Sequence, residues 1–124
     1  MGHSRVTDNG LKVISGMTQL EYVGVRGNKV TNAGLVHLKG LTNLTGLNLS
    51  ETKVTDDGLK LLAPFTKLSS LYLPGTVVTD AGLEHLKEFK DLRYLNLGKT
   101  KTTKDGRARF QEALPDVRID LTSK

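Results

Sequence analysis

The chain has 124 residues, enough for one ordinary domain, and 18 basic against 13 acidic side chains give it a formal net charge of +5. The absence of cysteine excludes disulfides, thiolate metal sites and a cysteine nucleophile, and is compatible with the cytoplasm or another reducing compartment. No apolar run approaches the roughly 18 residues of a membrane span.

The start, Met1-Gly2-His3-Ser4, has neither the basic nor the apolar region of a secretion signal and reads as a tag remnant. Residues 1–5 are therefore expected to be a tag remnant or a disordered start, and the compartment stays unread. From residue 6 a single 24-residue period organises the chain, which predicts one domain over 6–124 of about five units. Gly10, Gly34, Gly58, Gly82 and Gly106 keep this step, as do Thr7, Thr31, Thr55, Thr79 and Thr103.

Residues 6–16 read as a helix with Leu11 and Ile14 on its core face and no strand before it. Leu20-x-x-Val23-x-Val25 then has the alternation of a strand, repeated as Leu44-x-x-Leu47-x-Leu49, Leu68-x-x-Leu71-x-Leu73 and Leu92-x-x-Leu95-x-Leu97. After each strand comes a short helix, most clearly Val78-Thr79-Asp80-Ala81-Gly82-Leu83-x-x-Leu86. Thr79 suits the N-cap, and Asp80 suits the positive end of the helix dipole. Helices of about eight or nine residues are too short to persist alone and must be held by neighbouring units. The last unit departs from the pattern. Arg107 replaces the core leucine, Pro115 interrupts the passage to the final strand, and Asp116 stands where its first leucine should be. This predicts a strand out of register and a unit modified as a cap. The N-terminal end shows no equivalent, so the expectation is either the C-terminal piece of a longer protein or an open end covered by self-association.

Strands joined through helices run parallel, and such crossovers are right-handed. Strands lie about 4.8 Å apart, whereas packed helices need about 8–10 Å, so the stack bends with its sheet on the concave side. The predicted class is α/β: a right-handed solenoid, parallel β-sheet on the concave face and short α-helices on the convex face. The pattern Leu-x-x-Leu-x-Leu-x-x-(Asn/Thr), followed by Val-Thr-Asp-Ala-Gly-Leu-x-x-Leu, resembles the leucine-rich repeats over roughly residues 6–121. It is closest to a bacterial 24-residue subclass related to the cysteine-containing repeats of F-box adaptors. In that family the residue after the strand is Asn or Cys and bonds the backbone of the turn. The resemblance gives this structural role to Asn28, Thr52, Thr76 and Thr100. It specifies a fold far more than a partner.

Alternation along the strands places Tyr22, Arg26, Asn48, Tyr72, Tyr94, Asn96, Arg118 and Asp120 on the outer, concave face. All three tyrosines of the chain fall there. Tyrosine and arginine are enriched in binding hot spots, although tyrosine also favours strands for structural reasons. Phe65, Phe89 and Phe110 fall in core columns instead. His37 and His85 lie two repeats apart, about 16–20 Å by helix spacing, too far to share a metal ion. The recurring Gly10, Gly34, Gly58, Gly82 and Gly106 lack the clustered glycines and lysine of a phosphate loop and read as packing positions. No catalytic set is present, and neither a cofactor nor a metal is expected. The expected function is a non-catalytic protein-interaction module, binding a protein partner rather than a specific nucleic acid. Two alternatives stand beside it: a structural repeat segment or engineered scaffold without its own ligand, and electrostatic binding to an anionic surface through the basic stretch Lys99–Arg109.

Overall fold

A computed structural model describes residues 8–25 and 29–122. Among the described residues ten elements alternate: α1 Asp8–Val13, β1 Tyr22–Gly24, α2 Asn32–Val36, β2 Gly46–Asn48, α3 Asp56–Lys60, β3 Ser70–Tyr72, α4 Asp80–Leu86, β4 Tyr94–Asn96, α5 Lys104–Ala113 and β5 Arg118–Asp120. The strands form one parallel sheet in chain order. Their register keeps the sequence period, with Tyr22, Gly46, Ser70, Tyr94 and Arg118 side by side across it. The sheet is open and lines the concave side of the solenoid; the helices back it.

The core lies between these layers. Leu47, Leu71 and Leu95 enter it from the strands, and Leu35, Leu59 and Leu83 from the helices. Phe65, Phe89 and Phe110 are buried with them. This shared burial holds helices that could not stand alone. Those helices are shorter than expected, five residues in α2 and α3 and seven in α4. Their last turns close instead through tighter i→i−3 bonds, as where His37 N–H donates to the Gly34 carbonyl at 3.1 Å and Leu38 N–H to that of Leu35 at 3.0 Å.

Threonines, buried at 52 and 76 and half-buried at 100, hold the turns that follow the strands. Thr52, Thr76 and Thr100 each donate their hydroxyl to the carbonyl three residues back, on Leu49, Leu73 and Leu97, at 2.8 Å. The residue ahead of each threonine is left-handed: Glu51 at φ 60°, Gly75 at φ 75° and Lys99 at φ 55°. Asn28, the first member of the threonine column, lies outside the described residues.

A second column ties each coil to the next. Asp8 accepts from the backbone N–H of Thr31 at 2.8 Å and from its hydroxyl at 2.6 Å. Asp56 makes the same pair of bonds with Thr79, and Asp80 with Thr103. Thr31 and Thr79 in turn cap their own helices, accepting from Ala33 and Ala81 N–H. Asn32 fills the same place but reverses one bond, because its Nδ2 donates to Thr55 Oγ1 at 2.7 Å while its Oδ1 accepts from Thr55 N–H. Thr55 makes no side-chain cap bond. The ladder also explains the glycines. A Cβ on Gly82 would collide with Asp56 Oδ1 and come within 2.9 Å of Leu59. Gly34, Gly58 and Gly106 face Asp8, Asn32 and Asp80 in the same way.

The last coil differs in one respect from the expectation. β5 is in register, with Tyr94 opposite Arg118 and Asn96 opposite Asp120. What changes is the passage into it: Asp116 is exposed, and Leu114 and Val117 fill the core in place of a leucine at 116. Gln111 Nε2 holds that passage by donating to the carbonyls of Leu114, Pro115 and Val117, the last at 2.6 Å. Arg107 donates to the carbonyl and hydroxyl of Thr102 at 2.9 and 3.0 Å. A valine–leucine pair of earlier coils has thus become a hydrogen-bonded polar pair. At the ends of the stack, Leu11, Ile14, Val23 and Val25 are buried, while Ile119 is half-buried and Leu121 exposed.

Candidate functional site

The outer face of the sheet carries the residues singled out from the sequence, except Arg26, which lies outside the described residues. Strand pleating puts Tyr22, Asn48, Tyr72, Tyr94, Asn96, Arg118 and Asp120 on this face, away from the core leucines. They do not form one continuous site.

Tyr22 stands at the β1 edge, 51% exposed. Its ring lies across two glycines, with its hydroxyl 2.9 Å from where a Cβ of Gly24 would be and a ring carbon 2.8 Å from that of Gly46. The ring covers backbone that no side chain shields on either strand, and only glycine leaves it room. Asn48 is committed locally: its Oδ1 accepts from Ser50 N–H at 2.9 Å and from Ser50 Oγ. This Asx-turn shapes the strand end.

The other half of the face is a cluster. The rings of Tyr72 and Tyr94 lie 5.0 Å apart, tilted at 46°, within the range of favourable aromatic pairs. Tyr94 Oη donates to Asp120 Oδ2 at 2.9 Å and accepts from Asn96 Nδ2 at 3.3 Å. Asn96 is almost fully buried; its Oδ1 accepts from Gly98 N–H at 2.9 Å, and its Nδ2 also reaches Thr122 Oγ1 at 3.4 Å. Asp120 Oδ1 accepts from Thr122 N–H at 3.0 Å. Burial raises the Tyr94 phenol above its ordinary value. The Thr122 N–H, then the Tyr94 hydroxyl, hold the Asp120 carboxyl below the usual range, with a smaller contribution from nearby Arg118. Tyr94 is therefore a neutral donor and Asp120 an anion at neutral pH. Arg118 is exposed on the adjacent strand position.

Sequence reasoning placed these side chains on the right face but did not separate the groups with spare bonding capacity from those spent internally. Asn48 and Asn96 belong to the second kind. The signal for this was present in part: Asn48-x-Ser50, Asn96-x-Gly98 and Asp120-x-Thr122 share one column and the spacing of an Asx-turn. The interlocking Asp8, Asn32, Asp56 and Asp80 were equally periodic, yet only a helix-dipole role was read from Asp80. Among the described residues no group of three His, Cys, Asp or Glu could hold a metal ion, and no helix is long and apolar enough to cross a membrane.

Residues 40–63 match the family described as Leucine Rich repeat. No curated protein matches the chain in sequence. Among solved structures it is similar to internalin C2 of Listeria monocytogenes, with TM-score 0.68 and 23% identity over 88% of this chain and 45% of that one. An internalin of the same organism, inlF, gives TM-score 0.60 and 20% identity over 91% of this chain and 38% of that one. A leucine-rich-repeat protein of Leptospira interrogans gives 0.61 and 20% over 89% and 33%. The chain spans less than half the length of each of these. A parallel sheet in chain order, a 24-residue register and these neighbours identify the fold as a leucine-rich-repeat solenoid, one unit of which, residues 40–63, matches the repeat family itself.

Proposed function

We propose that the chain is a non-catalytic protein-interaction module that binds a protein partner on its concave sheet. The observation that carries this reading is the Tyr72–Tyr94 ring pair, fixed from beneath by Asn96 and Asp120. Rigid aromatic side chains give large contact area at little entropic cost. In this reading Tyr22, Tyr72, Tyr94 and Arg118, with Arg26, meet the partner, while Asn48, Asn96 and Asp120 hold the surface in shape. The repeats are read as the bacterial 24-residue subclass, on the strength of Thr79-Asp80-Ala81-Gly82-Leu83.

Photo-crosslinking tests the proposal. With a benzophenone side chain at position 70, between the tyrosines, one protein should be captured, and its yield should fall when Tyr72 and Arg118 are changed to alanine. Capture only from exposed Glu84, on a helix, would move the binding surface to the convex side. No capture from either position would favour a structural segment without its own ligand.

A further inference from the structure

We propose that a second surface, the edge where strands turn into helices, binds an extended acidic segment of a protein across Lys29, Lys53, Val77 and Lys101. These four residues hold one position in successive coils, directly after the strand-end column Asn28, Thr52, Thr76 and Thr100. All four are exposed, and among the described residues Val77 is one of the few large apolar side chains that is. Two of them are tied to the preceding coil: Lys53 N–H donates to the Val30 carbonyl at 2.8 Å and Lys101 N–H to that of Val78 at 2.9 Å. The row is a set of cations, two of them on anchored backbone, with an apolar side chain between the second and the last.

Several acids of this edge have their oxygens engaged within the protein. Asp8, Asp56 and Asp80 each accept two bonds from a threonine of the next coil. Asp57 lies 3.6 Å from Lys60, and exposed Glu51 has a partner of its own. Asp105 is the remaining acid there, beside Lys104. Among the described residues the ammonium groups of Lys29, Lys53 and Lys101 have no hydrogen-bonded or ionic partner. The chain as a whole carries an excess of five positive charges. The complement to this row is a segment with carboxylates flanking an apolar residue. Coils repeat at about 4.8 Å, and alternate side chains of an extended segment are about 7 Å apart, within reach of long flexible lysine stems. The proposal is independent of the sheet-face reading, because the row lies off that face.

The test uses the intact chain and a fluorescein-labelled peptide, Glu-Glu-Val-Glu-Glu, followed by anisotropy. Saturable binding should weaken at least about fivefold between 20 and 200 mM salt, as screening requires. The double variant Lys53→Glu, Lys101→Glu should bind at least about tenfold more weakly, by charge reversal, while its thermal unfolding stays unchanged. Tyr72→Ala should bind as the parent does, which separates this surface from the sheet face. The proposal is overturned by absent or non-saturable binding, by undiminished binding in the double variant, or by binding indifferent to Val77→Ser. Tighter binding of an eight-nucleotide thymidine strand than of the peptide would overturn it too, assigning the lysines to phosphates.

Discussion

At the scale of single residues, one column of side chains shows how much a single atom decides. Aspartate at 8, 56 and 80 accepts the hydroxyl of the next coil's threonine, leaving that threonine oxygen free to accept in its turn. Asn32 instead donates to Thr55 Oγ1, and Thr55 loses its capping bond. Asn32→Asp should restore the common pattern and raise stability by about 0.5–1 kcal/mol, the usual worth of a cap. An unchanged or lower midpoint in urea would show that the amide serves Thr55 as well as a carboxylate would. Gly82→Ala should cost about 1–3 kcal/mol by overpacking against Asp56 and Leu59. Because the collision is with the Asp56 carboxylate, the cost should be smaller in an Asp56→Ala background; strict additivity in a double-mutant cycle would refute that cause.

At one rung, Asp80, the same bonds give stability a pH dependence. The Thr103 hydroxyl and then its N–H hold the Asp80 carboxyl below its ordinary value. A carboxyl lowered on folding contributes stability above its unfolded pKa, and that contribution is lost as pH falls through the folded value. Stability from Asp80 is thus fully present at neutral pH and disappears below the ordinary carboxylate range. Asp80→Asn should flatten the acid limb of a stability–pH curve; an unaltered limb would place the acid sensitivity elsewhere.

At the scale of elements, the last coil shows an apolar pattern replaced without leaving polar groups stranded. α5 runs ten residues where α2 and α3 run five, and Gln111 near its end gathers three carbonyls of the passage to β5. Gln111→Ala should destabilise by about 1–2 kcal/mol, since those carbonyls lose their donor. Amide exchange should then accelerate in β5 more than in β2; uniform acceleration would mean the passage is not a local anchor. Lys104 occupies the place of the ladder acids, so the column of Asx–Thr bonds stops at Thr103.

At the scale of the molecule, each coil touches its sequence neighbours, and one continuous apolar core runs from Leu11 to Val117. Coupling through that core should make the central coils the most stable part of the stack. Leu71→Ala, fully buried in β3, should cost about 2–5 kcal/mol. A loss under 1 kcal/mol would mean that the neighbouring coils collapse into the space. Binding surfaces follow from the same geometry, because identical columns repeat at every coil and a variation within a column, such as Tyr, Gly, Ser, Tyr and Arg across the sheet, is what distinguishes one part of the face from another.

The sequence by itself determined the solenoid, since columns of Gly, Thr and Leu at one spacing admit few other ways to bury an apolar face. It also determined which side of each strand looks outward, because pleating alternates side chains whatever lies beyond. Only the tertiary structure decided what the outward residues do. Asn96 and Tyr94 are two residues apart, but their partners Asp120 and Thr122 come from the next coil, and Asp80 meets a threonine 23 residues on. The register of β5 likewise escaped the pattern, because it is set by pairing with β4 rather than by the leucine missing at Asp116. A single-residue column can reveal periodicity, but not whether its polar atoms are left for a partner. That depends on which donors and acceptors the adjacent coil brings within about 3 Å of them.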